Sequence, residues 1–170
     1  DSVGNSYKRV YPDEAAEVTY FNSKGQAWKQ VDADGVVRLS QYNTKGQREY
    51  TVLDVDRNDT IDFSGNDRIT RMLSYATNAH GVDVLRSETW QWQTLGADTP
   101  VLLSTSDRSV ETRESWQFAF GLTNYSIRVC VTNLAICFST NVAPDGSYSV
   151  SMAQYGLPLS STRYASNGVQ

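Results

Sequence analysis

The sequence predicts an all-β chain of antiparallel hairpins, and three observations carry that prediction. Apolar and aromatic residues alternate with polar ones at the two-residue period of a half-buried strand. Glycines follow Asp, Asn or Lys at points where a tight hairpin needs positive φ. A motif with an aromatic residue four positions before a Gly recurs along the chain. Composition agrees: ten Tyr, four Trp and five Phe stand among many Thr, Ser and Val, and long Ala/Leu/Glu/Lys runs are absent. A length of 170 residues suffices for one domain with its own core or for several stacked units.

The first third carries the repeat most clearly. Phe21-Asn22-Ser23-Lys24-Gly25-Gln26 returns as Tyr42-Asn43-Thr44-Lys45-Gly46-Gln47, and Asp34-Gly35 followed by Val36-Val37-Arg38-Leu39 lies between the copies. The unit reads as strand, turn, strand, turn. In the middle third, Trp90 and Trp92 share one face of 89–94, and Trp116, Phe118 and Phe120 share another, with Gly96, Pro100 and Gly121 as punctuation. Tyr125, Ile127, Val129 and Val131 then alternate with Ser126, Arg128 and Cys130, the period of a strand with one buried face, and Ile136 and Phe138 continue it. Pro144-Asp145-Gly146 marks a further turn, after which Tyr148 and Val150 share a parity, as do Tyr155 and Leu157. The aromatic-to-Gly spacing returns once more in Tyr164-Ala165-Ser166-Asn167-Gly168. No segment predicts a helix. The expected organisation is one β-rich segment over 1–170: repeats with an acidic loop at 54–67 within 1–75, an irregular β region over 76–143, and a last repeat over 144–170.

These aromatic-x-x-x-Gly units, the Asp-Gly turns and the segment from Pro144-Asp145-Gly146 through Ser160-Ser161-Thr162-Arg163-Tyr164 resemble bacterial RHS/YD-repeat proteins over most of the chain. The family's usual Tyr-Asp stands here as Phe21-Asn22, Tyr42-Asn43 and Tyr164-Ala165. The resemblance implies a long antiparallel ribbon that spirals into a β-shell, exported to the extracellular space or cell surface, for adhesion or for enclosing a separate toxin segment. Its partners would be neighbouring repeats of the same or a longer chain, and the segment at hand an excerpt. The alternative fold is a β-sandwich, such as a carbohydrate-binding module.

Charge and hydropathy narrow the function classes. A net charge of -4 offers no basic stripe for a phosphate backbone, so nucleic acid is not an expected partner. No apolar run reaches the roughly 18 residues of a membrane-spanning helix, and membrane insertion is not expected.

Asp54-Val55-Asp56-Arg57-Asn58-Asp59-Thr60-Ile61-Asp62 places oxygen side chains at alternate positions, as in the first nine positions of a calcium loop. Hard Ca²⁺ takes six to eight oxygens, and Asp54, Asp56, Asn58, the Thr60 carbonyl and Asp62 would supply them. Asp59 stands where such loops carry Gly, and Gly65 where they carry a bidentate Glu, with Asp67 as a substitute in a different loop. The other reading is a solvated acidic turn. Cys130 and Cys137 fall opposite each other if 132–135 forms a hairpin turn, since that register also pairs Val131 with Ile136 and Val129 with Phe138. They are then a disulfide in an oxidising compartment, or two free thiols in a reducing one.

Trp28 and Trp90 are candidates for stacking on sugar rings, whereas the company of Phe118 and Phe120 assigns Trp116 to the core. His80, the single histidine, sits in a turn without a nucleophile motif, and the pairs Glu111/Glu114 and Asp32/Asp34 read as a solvated face and a turn. The expectation is a non-catalytic structural segment of a secreted or surface β-shell; the alternative is a glycan- or protein-binding module, and an enzyme comes third.

Overall fold

The computed structural model describes residues 7–92, 99–111 and 113–166. Thirteen strands pair in sequence order into one antiparallel sheet. They are β1 (Lys8–Val10), β2 (Ala16–Phe21), β3 (Ala27–Val31), β4 (Val37–Tyr42), β5 (Arg48–Asp54), β6 (Arg68–Ala79), β7 (Val82–Gln91), β8 (Val101–Ser109), β9 (Glu114–Ala119), β10 (Leu122–Val131), β11 (Ile136–Val142), β12 (Tyr148–Gln154) and β13 (Leu157–Tyr164). A single 3-10 turn, Thr132–Leu134, is the one helical element among the described residues. The all-β expectation holds; a β-sandwich needs two sheets packed face to face, and the strand order gives one.

The repeat is visible at atomic level in its turns. Asn22 Oδ1 accepts the amides of Lys24 (2.9 Å) and Gln26 (3.0 Å). Asn43 Oδ1 does the same with Lys45 and Gln47, both at 3.0 Å, and Asp32 Oδ1 with Asp34 (3.1 Å) and Val36 (2.8 Å). In each turn the fourth residue is a Gly with φ between 74° and 80°, a region that costs residues bearing a Cβ. The 143–147 turn keeps the same backbone bonds, Ala143 N to Ser147 O at 2.8 Å and Gly146 N to Ala143 O at 3.0 Å. Because the acceptor is a side-chain carbonyl oxygen, Asn serves as well as Asp, which explains why the Asn-bearing units still turn. The Tyr164 unit continues into Asn167 and Gly168, which lie outside the described residues, as do Thr94 and Gly96.

Three other hairpins close on two residues: His80-Gly81, Phe120-Gly121 and Tyr155-Gly156, all with positive φ at both positions, as type I′ turns require. This corrects two readings. Phe120 does not share the face of Trp116 and Phe118, and Tyr155 does not share a strand with Leu157; each sits at a hairpin tip, 86% and 79% exposed. Within 76–143 the described residues include β7 to β11, with β9–β10 and β10–β11 joined by short connections, and 93–98 and 112 lie outside the described residues.

The chain divides into two compact units: Asp1–Leu73 with Thr89–Leu102, and Ser74–Glu88 with Leu103–Gln170. The first has a small apolar core of Val37, Leu39, Val52 and Ile69, ringed by Trp28, Val31, Tyr50, Ile61 and Trp92. Leu39, Val52 and Ile69 are register partners across β4, β5 and β6, so alternation in three strands places them side by side. Each fully buried aliphatic side chain contributes about 1.5 to 3 kcal/mol.

The second unit buries Val84, together with Thr105, Asp107 and Ser109 on alternate positions of β8. Register gives its sheet two distinct faces. One row runs Asp107, Trp116, Tyr125, Val142, Tyr148, Tyr164, with Trp116 and Tyr125 rings 5.4 Å apart and Tyr148 and Tyr164 stacked at 4.6 Å. The neighbouring row on the opposite face runs Arg108, Ser115, Ser126, Asn141, Ser149, Arg163. Further along the first face, Val129, Val131 and Phe138 are exposed, so the alternation in β10 and β11 marks a face that the described residues leave largely uncovered.

Candidate functional site

The acidic loop joins β5 to β6 and is anchored from both ends. Its apolar residue Phe63 packs edge-on against Tyr50 (5.6 Å) and against Trp92 (5.2 Å), which fixes the loop over the first unit's core. Asp54, the last residue of β5, is buried, and its two oxygens accept the amides of Asn58 (3.3 Å) and Asp59 (2.9 Å). Asp67, also buried, accepts from Val55 (3.0 Å) and Asp62 (3.0 Å), so one carboxylate ties the loop's entry to its middle. Arg57 and Asp59 adopt positive φ, and Lys29 from β3 pairs with Asp59 at 2.5 Å.

These bonds draw three carboxylates together. One oxygen each from Asp54, Asp56 and Asp67 lies within 4.8 Å of the others. Partial desolvation, a hydrogen bond with Asp54, and the charges of Asp67 and Asp54 push the Asp56 pKa up, against the Asn58 amide that lowers it. A cluster of oxygen ligands that resists carrying three negative charges is chemically suited to a hard cation.

The membership differs in part from the sequence expectation. Asp54 and Asp56 are in the cluster, but the third carboxylate is Asp67 rather than Asp62. Asp62 is turned aside: its Oδ1 accepts the Ser64 amide and hydroxyl, both at 3.1 Å, and its Oδ2 occupies space that a Cβ on Gly65 would enter at 2.2 Å. Asn58 Oδ1 accepts from the Thr60 amide (2.8 Å) and hydroxyl, and its Nδ2 donates to Asp56 at 2.9 Å. The Gly at the twelfth position therefore makes room for Asp62, and the carboxylate two residues later closes the cluster.

Cys130 and Cys137 form a disulfide. They face each other in the expected register, with Val131 opposite Ile136 and Val129 opposite Phe138. A structural disulfide belongs to an oxidising, extracellular-type environment. No helix among the described residues is long and apolar enough to cross a membrane.

Trp28 is half-buried against the first core and 6.3 Å from Tyr20, and Trp90 is also half-buried; Trp116 is half-buried beneath His80. Sequence reasoning missed what surrounds His80. Its Nε2 lies 2.9 Å from Oδ2 of the fully buried Asp107, which Arg86 clasps through two bonds of 2.7 Å. The imidazole stacks on Trp116 at 4.2 Å and Phe118 at 5.7 Å. Only the pairing of four strands assembles this group, so no local motif announces it.

Fold and loop together define an all-β antiparallel protein with a disulfide-stapled hairpin and an acidic cluster able to take a metal ion. No protein-family model matches the chain, and no curated protein is significantly similar to it.

Proposed function

We propose that this chain is a non-catalytic structural segment of a secreted or cell-surface β-sheet protein of the YD-repeat kind, with Ca²⁺ held at its acidic loop. The observation that carries the reading is the recurrence of one hairpin turn at 22–26, 32–36, 43–47 and 143–147, in strands that among the described residues pair in sequence order. Such a meander extends by adding units, and what it needs from chemistry is staples that hold register. The disulfide supplies one between β10 and β11. Ca²⁺ between Asp54, Asp56 and Asp67, completed by carbonyls and water, supplies another between β5 and β6, and export to an oxidising, calcium-rich space suits both.

A trypsin time course tests this with the purified chain in Ca²⁺ or EDTA, oxidised or reduced. Slow cleavage is expected in Ca²⁺ under oxidising conditions. Chelation should open the bond after Arg57, inside the loop, and reduction should open the bond after Arg128, in the stapled hairpin. Identical digestion in all four conditions would remove the stapled-scaffold reading. Soluble oligosaccharide is expected to leave Trp emission unchanged; quenching would favour a glycan-stacking module instead.

A further inference from the structure

The second unit's polar face has a composition at odds with the rest of the chain. The protein carries a net charge of -4, yet the row from Arg108 to Arg163 and the adjacent row Arg128, Ser139, Ser151, Ser161 contain three arginines and no carboxylate. All three arginines are exposed, and none is in a salt bridge among the described residues. Asp145 lies close enough to Arg163 for their charges to interact. Glu114 borders the face, but its carboxylate is taken by the Tyr125 hydroxyl at 2.8 Å. Two solvent-open hollows of about 460 Å³ lie over the shared row, one reaching Arg163 and the other reaching Arg108 and Arg128.

We propose that this face binds a linear anionic polysaccharide. With neighbouring strands about 4.8 Å apart, the row from β8 to β13 runs roughly 24 Å, long enough for several sugar units in line. Guanidinium groups at both ends and beside the middle pair with carboxylate or sulfate in two-point fashion. Between them, Ser and Asn side chains both donate and accept, as the hydroxyls of a sugar chain require. Register places no aromatic side chain in either row, while Tyr125 and Tyr148 of the opposite face line the hollow that reaches Arg163, so the single-stranded DNA arm of the test below bears on base stacking. This reading is independent of the scaffold role and of the acidic loop.

The test is isothermal titration of the whole chain with polygalacturonate, dextran sulfate, neutral dextran and a single-stranded DNA oligomer. Binding to polygalacturonate, dextran sulfate or both is expected, the two arms telling carboxylate from sulfate preference, with none to dextran and loss in high salt. The triple variant Arg108→Gln/Arg128→Gln/Arg163→Gln should weaken binding about tenfold or more, and Arg128→Gln alone by about threefold, while Arg48→Gln in the first unit leaves it unchanged. Far-UV circular dichroism checks that the triple variant is folded, and the single variant decides if it is not. Absence of binding to both acidic polymers, undiminished binding by the arginine variants, or tighter binding of the DNA would overturn the proposal.

Discussion

At the residue scale, Asp107 is the group whose removal the second unit should feel most. A carboxylate with no exposure is tolerable only when its charge is matched, and here Arg86 supplies two bonds of 2.7 Å while His80 adds a third contact at 2.9 Å. The Arg86 hydrogen bonds hold the Asp107 pKa below the ordinary value, against desolvation that raises it and with His80 helping to lower it. The sign follows: stability from this group is present in full above the unfolded carboxylate range near pH 4 and is lost as pH falls through the depressed folded value. Replacing Asp107 with Asn leaves the Arg86 guanidinium without its countercharge, and urea denaturation at neutral pH should show a loss of about 3 kcal/mol. In that variant the acid-side decline should also be shallower. An Asp107→Asn protein with unchanged stability and the same acid profile would mean that the cluster contributes nothing net.

At the element scale, the turns and the stapled hairpin are where sequence spoke most directly, because their determinants are local. The Asx-x-x-Gly turns need only a side-chain oxygen and a positive-φ residue three positions on, and both are visible in the letters. The β10–β11 register was legible for a similar reason, since a short turn and period-two alternation leave one pairing that opposes the two cysteines. Phe120 and Tyr155 misled the same logic: each continues an alternating pattern while the Gly after it turns the chain. Asp67 and the His80 group were harder still, because they are brought in by strand pairing across 12 to 27 residues.

Two predictions belong at this scale. Asn43→Ala removes the acceptor of two turn amides and should cost about 1 to 2 kcal/mol by chemical denaturation, and Gly46→Ala a similar amount because its φ is 80°. Reduction of Cys130–Cys137, or Cys130→Ser/Cys137→Ser, frees a loop of seven-residue separation and should cost about 2 to 3 kcal/mol on the loop-entropy account. No loss on reduction would mean that the β10–β11 pairing holds register unaided.

At the scale of the whole molecule, a sheet whose strands pair in sequence order has two ends, and the two ends differ. β1 is a short strand of three residues, whereas β13 has eight and pairs only with β12 in the described structure. A strand with one unpaired edge offers a row of backbone donors and acceptors to any other extended chain, and natural edges are blunted by charge, proline or brevity. β13 carries Pro158 near its start and Arg163 near its end, but Leu157 and Leu159 are 68% and 53% exposed and the stretch between proline and arginine has no charge. Self-association that grows with concentration is therefore the expected behaviour of the isolated chain, measurable by static light scattering. Leu157→Lys/Leu159→Lys places two like charges beside the open edge and should reduce the association at equal concentration. A matched pair at exposed positions of the first unit, Met72→Lys and Val101→Lys, controls for the added charge alone. If both double variants suppress association equally, net charge rather than the β13 edge governs it; if neither does, the contact lies elsewhere on the sheet.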